Sequence, residues 1–139
     1  MKGNSGNGYV MIVEDVRDER DAARLILELE GYRVVALPSG REALEYMRSG
    51  DPPRMILLDL MMHGINGWDF RTAQLADPRI ADVPVVVCSG DGRLDEKAAA
   101  LGVVDQLPKP IDQAALLELV ALHYERDAAP SAVSEAALS

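Results

Sequence analysis

Short apolar runs that alternate with amphipathic stretches constrain the fold of this chain more than any other feature of its sequence. The apolar runs lack the polar–apolar alternation of a half-exposed sheet, which indicates strands that are covered on both faces. Each run is followed by a segment with apolar residues at helical spacing. Because crossovers between parallel strands are right-handed, repeated units of this kind place helices on both faces of one sheet. The sequence therefore predicts a doubly wound, parallel α/β domain.

Five βα units fill the chain between residues 9 and 124, and we expect one domain there. The predicted strands are Tyr9 to Val13, Arg33 to Ala36, Met55 to Leu58, Val83 to Cys88 and Val104 to Leu107. The predicted helices are Val16 to Glu30, Ser39 as N-cap to about Arg48, Gly67 to Ala76, Arg93 to Leu101 and Ile111 to Tyr124. Residues 1–8 are polar and glycine-rich and predict a flexible lead, whereas residues 125–139 predict a mobile tail.

Two helices have apolar residues at positions that predict which face is buried. The first helix has Ala22, Leu25, Ile26 and Leu29 on one face, and Gly31 follows it in the usual terminating position. The last helix has a corresponding stripe of Leu116, Leu119, Val120 and His123. We expect both stripes to pack against the sheet.

The composition and charge argue against several classes of protein. A formal net charge of −9 disfavours a nucleic-acid-binding surface. No apolar stretch approaches the roughly 18 residues of a membrane-spanning helix, and the first residues lack the apolar core of a signal peptide. Cys88 is the one cysteine, so no internal disulfide can form. We therefore expect a cytoplasmic protein with no membrane insertion and no direct contact with nucleic acid.

Polar side chains stand at the C-terminal ends of four predicted strands. Glu14 and Asp15 follow the first strand, Asp59 the third, Ser89 the fourth and Lys109 the fifth. Each has an ordinary explanation by itself: Asp15 as a helix cap, Ser89 in a turn, Lys109 on the surface. Because ligands of doubly wound folds bind beyond the carboxyl ends of the strands, their equivalent positions favour a common site.

Such a site has a recognisable chemistry. Three clustered carboxylates raise one another's pKa unless a cation neutralises them, and all-oxygen ligation suits Mg²⁺. A metal and a lysine would offset the charge of phosphoryl oxygens, while a hydroxyl would donate a hydrogen bond. A carboxylate can itself be the nucleophile and form an aspartyl-phosphate. The central position of Asp59 makes it the best candidate for that role.

Four motifs, VEDV, LLDLMMHGINGW, VVCSG and LPKP, occur in this order along the chain. Together they resemble the receiver domain of two-component response regulators, over about Tyr9 to Tyr124. The resemblance implies a flavodoxin-like fold with strand order 2-1-3-4-5. It also implies Mg²⁺-dependent phosphoryl transfer from a phosphohistidine, on a histidine kinase or a histidine phosphotransfer protein, to an aspartate.

The resemblance also implies a role for each residue that matches a motif. Asp59 would be the phosphoacceptor, and Ser89 and Lys109 would contact the phosphoryl oxygens. The magnesium ligands would be Asp15, Asp59, the backbone carbonyl of Met61 and, mainly through water, Glu14. The Lys109–Pro110 peptide is often cis in the family.

The chain departs from the family pattern at four positions. His63 stands where proline is usual, Asn66 where aspartate is frequent, and Gly90 where alanine is common. His63 is either a solvated loop residue or a group that titrates near the phosphate. Gln106 replaces the usual aromatic residue of the fifth strand, so the aromatic readout of phosphorylation cannot operate unchanged.

Two further positions are expected to set the lifetime of the phosphoryl group. The Met61 side chain cannot hydrogen-bond an attacking water molecule. Asp91 could do so, but its charge would repel the phosphoryl group. We therefore expect self-hydrolysis that is not especially fast.

The leading hypothesis is a receiver that catalyses its own phosphorylation and dephosphorylation and does not turn over a small substrate. The chain leaves no length after Tyr124 for an output domain, so we expect it to act through a downstream partner, through another chain or as an intermediate in a phosphorelay. The predicted output face combines the helix 93–101, the fifth strand and the last helix, and would also support a homodimer. This face carries Arg93, Lys97, Gln106, Gln113 and Leu117.

Two alternatives belong to other functional classes. A docking module that works without phosphorylation is favoured by Gln106. A metal-dependent phosphatase is disfavoured, because such enzymes carry a second aspartate where this chain has Met61.

Overall fold

A computed structural model of the chain describes residues 8–62, 64, 66–90 and 102–128. Five parallel strands form one sheet in the order β2-β1-β3-β4-β5, which confirms the predicted doubly wound, flavodoxin-like arrangement. The strands are β1 (Val10–Val13), β2 (Val34–Leu37), β3 (Met55–Asp59), β4 (Val85–Ser89) and β5 (Asp105–Pro108). The described helices are α1 (Arg17–Leu29), α2 (Gly40–Ser49), α3 (Gly67–Leu75) and α4 (Gln113–Ala128).

The sheet separates two hydrophobic cores. In β1, Met11 and Val13 face the core under α2 and α3, whereas Val10 and Ile12 face the core under α1 and α4. The other central strands, β3 and β4, divide their side chains in the same way and are buried throughout. This double coverage explains why the central strands are continuously apolar.

Capping residues fix where three helices begin or end. Ser39 accepts a hydrogen bond from the Glu42 amide (3.1 Å) and is the predicted cap of α2. Asn66 accepts one from the Asp69 amide (2.9 Å) at the start of α3, so it caps as well as an aspartate would. Gly31 has a positive φ of 101° and ends α1, as predicted.

The buried face of α1 differs from the predicted one. Ala23 and Leu27 are buried, whereas Leu25 and Leu29 are exposed. Three apolar residues in a row, from residue 25 to residue 27, leave the phase of the helical stripe ambiguous, and packing against α4 and β2 decides it. In α4 the prediction is confirmed: Leu116, Val120 and His123 are buried.

Several predicted boundaries shift by a few residues. β3 includes Asp59, and β4 begins at Val85, after Pro84, whose nitrogen cannot donate to the sheet. α4 begins after Asp112, which accepts a hydrogen bond from an amide of its first turn. It continues to Ala128, four residues beyond the predicted end and into the predicted tail.

Some predictions fall outside the described residues. They are the flexible lead over residues 1–7, the helix Arg93 to Leu101 and the tail beyond residue 128. Within the described part of the chain, no helix combines the length and the apolar character needed to cross a bilayer.

Candidate functional site

Three carboxylates meet at the C-terminal edge of the sheet. Strands β1 and β3 pair in parallel, with Val13 opposite Leu58, so Glu14 and Asp59 leave adjacent strands side by side. One carboxylate oxygen from each of Glu14, Asp15 and Asp59 lies within 4.8 Å of the others. Glu14 and Asp59 are only 5% and 4% exposed. The structure thus brings together the three acids that the sequence placed at strand ends.

Lys109 places an ammonium group beside these carboxylates. Its Nζ lies 2.9 Å from Glu14 Oε1 and 3.5 Å from Asp59 Oδ2. It also lies 2.6 Å from Oε1 of Glu19, on the first turn of α1. Burial alone would lower the pKa of Lys109, but hydrogen bonds to Glu19 and Glu14 and the charge of Asp59 raise it above its ordinary value. The ammonium group therefore stays charged at any physiological pH.

Backbone contacts fix the direction of the acidic side chains. The Met61 amide donates to Asp59 Oδ1 (3.2 Å), and the Val16 amide donates to Glu14 Oε2 (3.1 Å). Val16 is the N-cap residue of α1, so Asp15 does not take the capping position that was one explanation for it. Both buried acids are therefore held by amides that follow them closely in the chain.

With Lys109 as the nearby cation and no metal ion bound, the ionised form of Asp59 is disfavoured. Burial and then the negative charge of Glu14 raise the pKa of Asp59 from 3.8 to about 7. The Lys109 ammonium and the Met61 amide act in the opposite direction without cancelling this effect. A divalent cation among the three carboxylates would relieve the repulsion, and their all-oxygen donor set fits Mg²⁺.

The other predicted site residues lie on neighbouring elements. Ser89 is buried at the end of β4, and its carbonyl accepts a hydrogen bond from the Lys109 amide (3.1 Å). The Lys109–Pro110 peptide is cis. Met61 exposes 60% of its surface. Gln106 is half-buried in β5, where it pairs with Val87.

Two predicted modulating residues, His63 and Asp91, lie outside the described residues.

Glu19 is the site residue that the sequence reasoning missed. It lies four residues before Ala23 and seven before Ile26, so all three share the inner face of α1. The sequence does contain a signal for this role, because Glu19 is an acidic residue one turn before the apolar residues of that face. Its partner Lys109 is 90 residues away along the chain, and only the fold brings them together.

Comparison with known proteins agrees with this geometry. A family model described as "Response regulator receiver domain" matches residues 10–121. The chain belongs to this family. Receiver domains of response regulators are parts of two-component systems, in which they interact with histidine kinases and downstream partners.

Individual relatives differ in how much of their length the chain covers. It is 33% identical over 111 residues to the alkaline phosphatase synthesis transcriptional regulatory protein SphR of Synechococcus elongatus, covering 73% of this chain but 42% of SphR. It is 26% identical over 113 residues to PilH of Pseudomonas aeruginosa, covering 80% of this chain and 93% of PilH. The crystal structure of a response regulator receiver protein from Pseudomonas putida matches with a TM-score of 0.76 and 33% identity, over 84% of this chain and 97% of that one.

Proposed function

We propose that this receiver domain accepts a phosphoryl group on Asp59 from a phosphohistidine of a histidine kinase or histidine phosphotransfer protein, with Mg²⁺ bound. The observation that carries the proposal is one buried carboxylate at the end of a central strand. It lies in a cluster of three acids and 3.5 Å from a lysine ammonium.

The transfer exchanges one bond to phosphorus for another. A carboxylate oxygen of Asp59 forms the new P–O bond while the P–N bond of the donor breaks, and the electron pair stays on the imidazole nitrogen, which takes up a proton. Mg²⁺, held by Asp15, Asp59, the Met61 carbonyl and, through water, Glu14, would offset negative charge on the phosphoryl oxygens.

The remaining residues of the site orient the Asp59 carboxylate and offset the negative charge of the phosphoryl oxygens. Lys109 supplies positive charge to a phosphoryl oxygen, and the Ser89 hydroxyl donates a hydrogen bond to another. The Met61 amide holds Oδ1 of Asp59 and so fixes the plane of the carboxylate. Burial of Asp59 keeps bulk water away from the acyl phosphate, and the apolar Met61 side chain offers no hydrogen bond to an attacking water molecule.

The phosphorylated state would be read by a downstream protein at the face that includes β5 and α4, and a homodimer would use the same face. Gln106 and Gln113 lie on these elements, and neither supplies an aromatic ring. His63 and Asp91 are proposed to modulate the lifetime of the phosphoryl group. The proposed place of action is the cytoplasm, which accords with a chain that forms no internal disulfide.

A small phosphodonor tests the proposal without knowledge of the kinase. The protein is incubated with acetyl phosphate and Mg²⁺, and its intact mass is measured; we expect the addition of one phosphoryl group. Asp59→Asn is the matched control, because it preserves shape and removes the nucleophile, and it should gain none. An unchanged mass and unchanged amide NMR shifts with beryllofluoride would instead favour the docking module that Gln106 suggests.

A further inference from the structure

Lys109 is shared unequally among three carboxylates of the described structure. Its Nζ is closest to Glu19 (2.6 Å), then to Glu14 (2.9 Å) and farthest from Asp59 (3.5 Å). The first two distances lie in the hydrogen-bonding range, and the third lies beyond it. The ammonium group is therefore drawn toward the first turn of α1 and away from the proposed phosphoacceptor.

We propose that Glu19 is a positioning residue that competes with the phosphoryl group of Asp59 for Lys109 and so lowers the phosphoryl affinity of the site. The proposal rests on the proposed function and adds a residue to it. A phosphoryl oxygen on Asp59 gains its full contact with Lys109 only when the ammonium leaves or shares Glu19. Phosphorylation of Asp59 therefore weakens the Glu19–Lys109 ion pair, and this loss makes the phosphorylated state less stable.

Charge balance points in the same direction. Glu14, Asp15 and Asp59 bring three negative charges, and Lys109 with one divalent cation brings three positive charges. Glu19 adds a fourth negative charge next to the place where an anionic phosphoryl group would bind, and Arg20, whose guanidinium donates to the Glu14 carbonyl (2.9 Å), offsets it in part. Because the Glu19 side chain is 48% exposed, solvent screens this charge. We expect its effect on phosphoryl affinity to be about two- to fivefold.

A matched pair of variants separates this competition from a general charge effect. Glu19→Gln removes the charge and keeps the shape of the side chain. Asp18→Asn removes the same charge from the same turn of α1, but Asp18 makes no ion pair with Lys109 within the described structure. Glu19→Asp keeps the charge and shortens the reach toward Lys109, so it should lie between the wild type and Glu19→Gln.

The experiment measures the dissociation constant of beryllofluoride in the presence of Mg²⁺ by amide NMR, and the rate of phosphorylation by acetyl phosphate by intact mass. Glu19→Gln should bind beryllofluoride about two- to fivefold more tightly and be phosphorylated faster. Asp18→Asn should change affinity by less than half as much. The advantage of Glu19→Gln should shrink as salt is raised, which a purely structural effect would not do.

The outcomes separate this inference from the proposed function. If the wild type neither binds beryllofluoride nor gains mass, the proposed function is wrong. If the wild type does both and Glu19→Gln behaves like it, or binds more weakly, the role of Glu19 is wrong. An equal effect of Asp18→Asn would likewise overturn competition for Lys109.

Discussion

Replacing Asp59 with asparagine should stabilise the protein at neutral and alkaline pH when divalent cations are removed with EDTA. Burial beside Glu14 raises the pKa of Asp59 to about 7 in the folded state, compared with 3.8 for an unperturbed aspartate. Between about pH 4 and pH 7, the Asp59 carboxyl is therefore protonated in the folded protein and ionised in the unfolded chain. The contribution of the Asp59 carboxyl to the unfolding free energy is fully present below about pH 4 and is lost as the pH rises through about 7. Asparagine resembles the protonated acid and avoids this loss.

The magnitude follows from the size of the shift. Each pKa unit corresponds to about 1.4 kcal/mol, so a shift of roughly three units sets an upper limit of about 4 kcal/mol. Lys109 already opposes the shift, and its effect is contained in that limit. We expect the unfolding free energy of Asp59→Asn to exceed that of the wild type by a few kcal/mol at about pH 8, and by much less at about pH 5.

Urea unfolding of both proteins across this pH range measures the difference. With EDTA, the gap in unfolding free energy should widen with pH and level off above neutrality. With saturating Mg²⁺ it should narrow or reverse, because a cation that binds the native site stabilises the wild type. A gap that is constant with pH, or that favours the wild type at alkaline pH in EDTA, would refute the reasoning.

Substitutions at three other positions test the site, the core and a helix cap. Lys109→Gln should slow phosphorylation of Asp59 by acetyl phosphate at least about tenfold, since it removes the positive charge near the phosphoryl oxygens; an unchanged rate by intact mass would contradict this role. Gln74→Leu should lower the unfolding free energy by about 1–3 kcal/mol in urea, because the buried amide bonds Arg71 and two carbonyl groups; a neutral effect would show that these groups find other partners. Asn66→Ala should destabilise by about 1 kcal/mol through loss of the α3 cap while Asn66→Asp should not, and equal thermal midpoints for the two variants would count against capping.

The covering of a parallel sheet on both faces was predictable from the residues of the central strands, whereas the strand order 2-1-3-4-5 was implied only by the resemblance to receiver domains. A run such as Met55–Leu58, apolar at every position, fits a strand between two layers of helices and fits a half-exposed sheet poorly. The phase of α1 was predicted wrongly, because consecutive apolar residues satisfy two helical stripes equally well. Packing against the neighbouring elements selects one of them, and it places Leu27 in the same core as Tyr32 and Tyr124.

The acids and the lysine of the site were predictable because topology alone aligns the ends of parallel strands. What the sequence did not reveal is how the charges are shared. The contact of Glu19 with Lys109 depends on the exact rotation of α1, which was also the error in its buried face. Likewise, the buried pair Arg71 and Gln74 lies in α3 and links it to the carbonyl of Gly102 just before β5, a long-range contact without a local pattern.

Chemical trapping of the phosphorylated residue shows which side chain of the protein accepts the phosphoryl group. Borohydride reduces an acyl phosphate to an alcohol, so the phosphorylated protein is treated with borohydride and its peptides are mapped by mass spectrometry. We expect residue 59 alone to be converted from aspartate to homoserine, and only when Mg²⁺ was present during phosphorylation. Conversion at Glu14 or Asp15 instead of Asp59, or no conversion at residue 59 in a protein that has gained phosphoryl mass, would contradict this expectation.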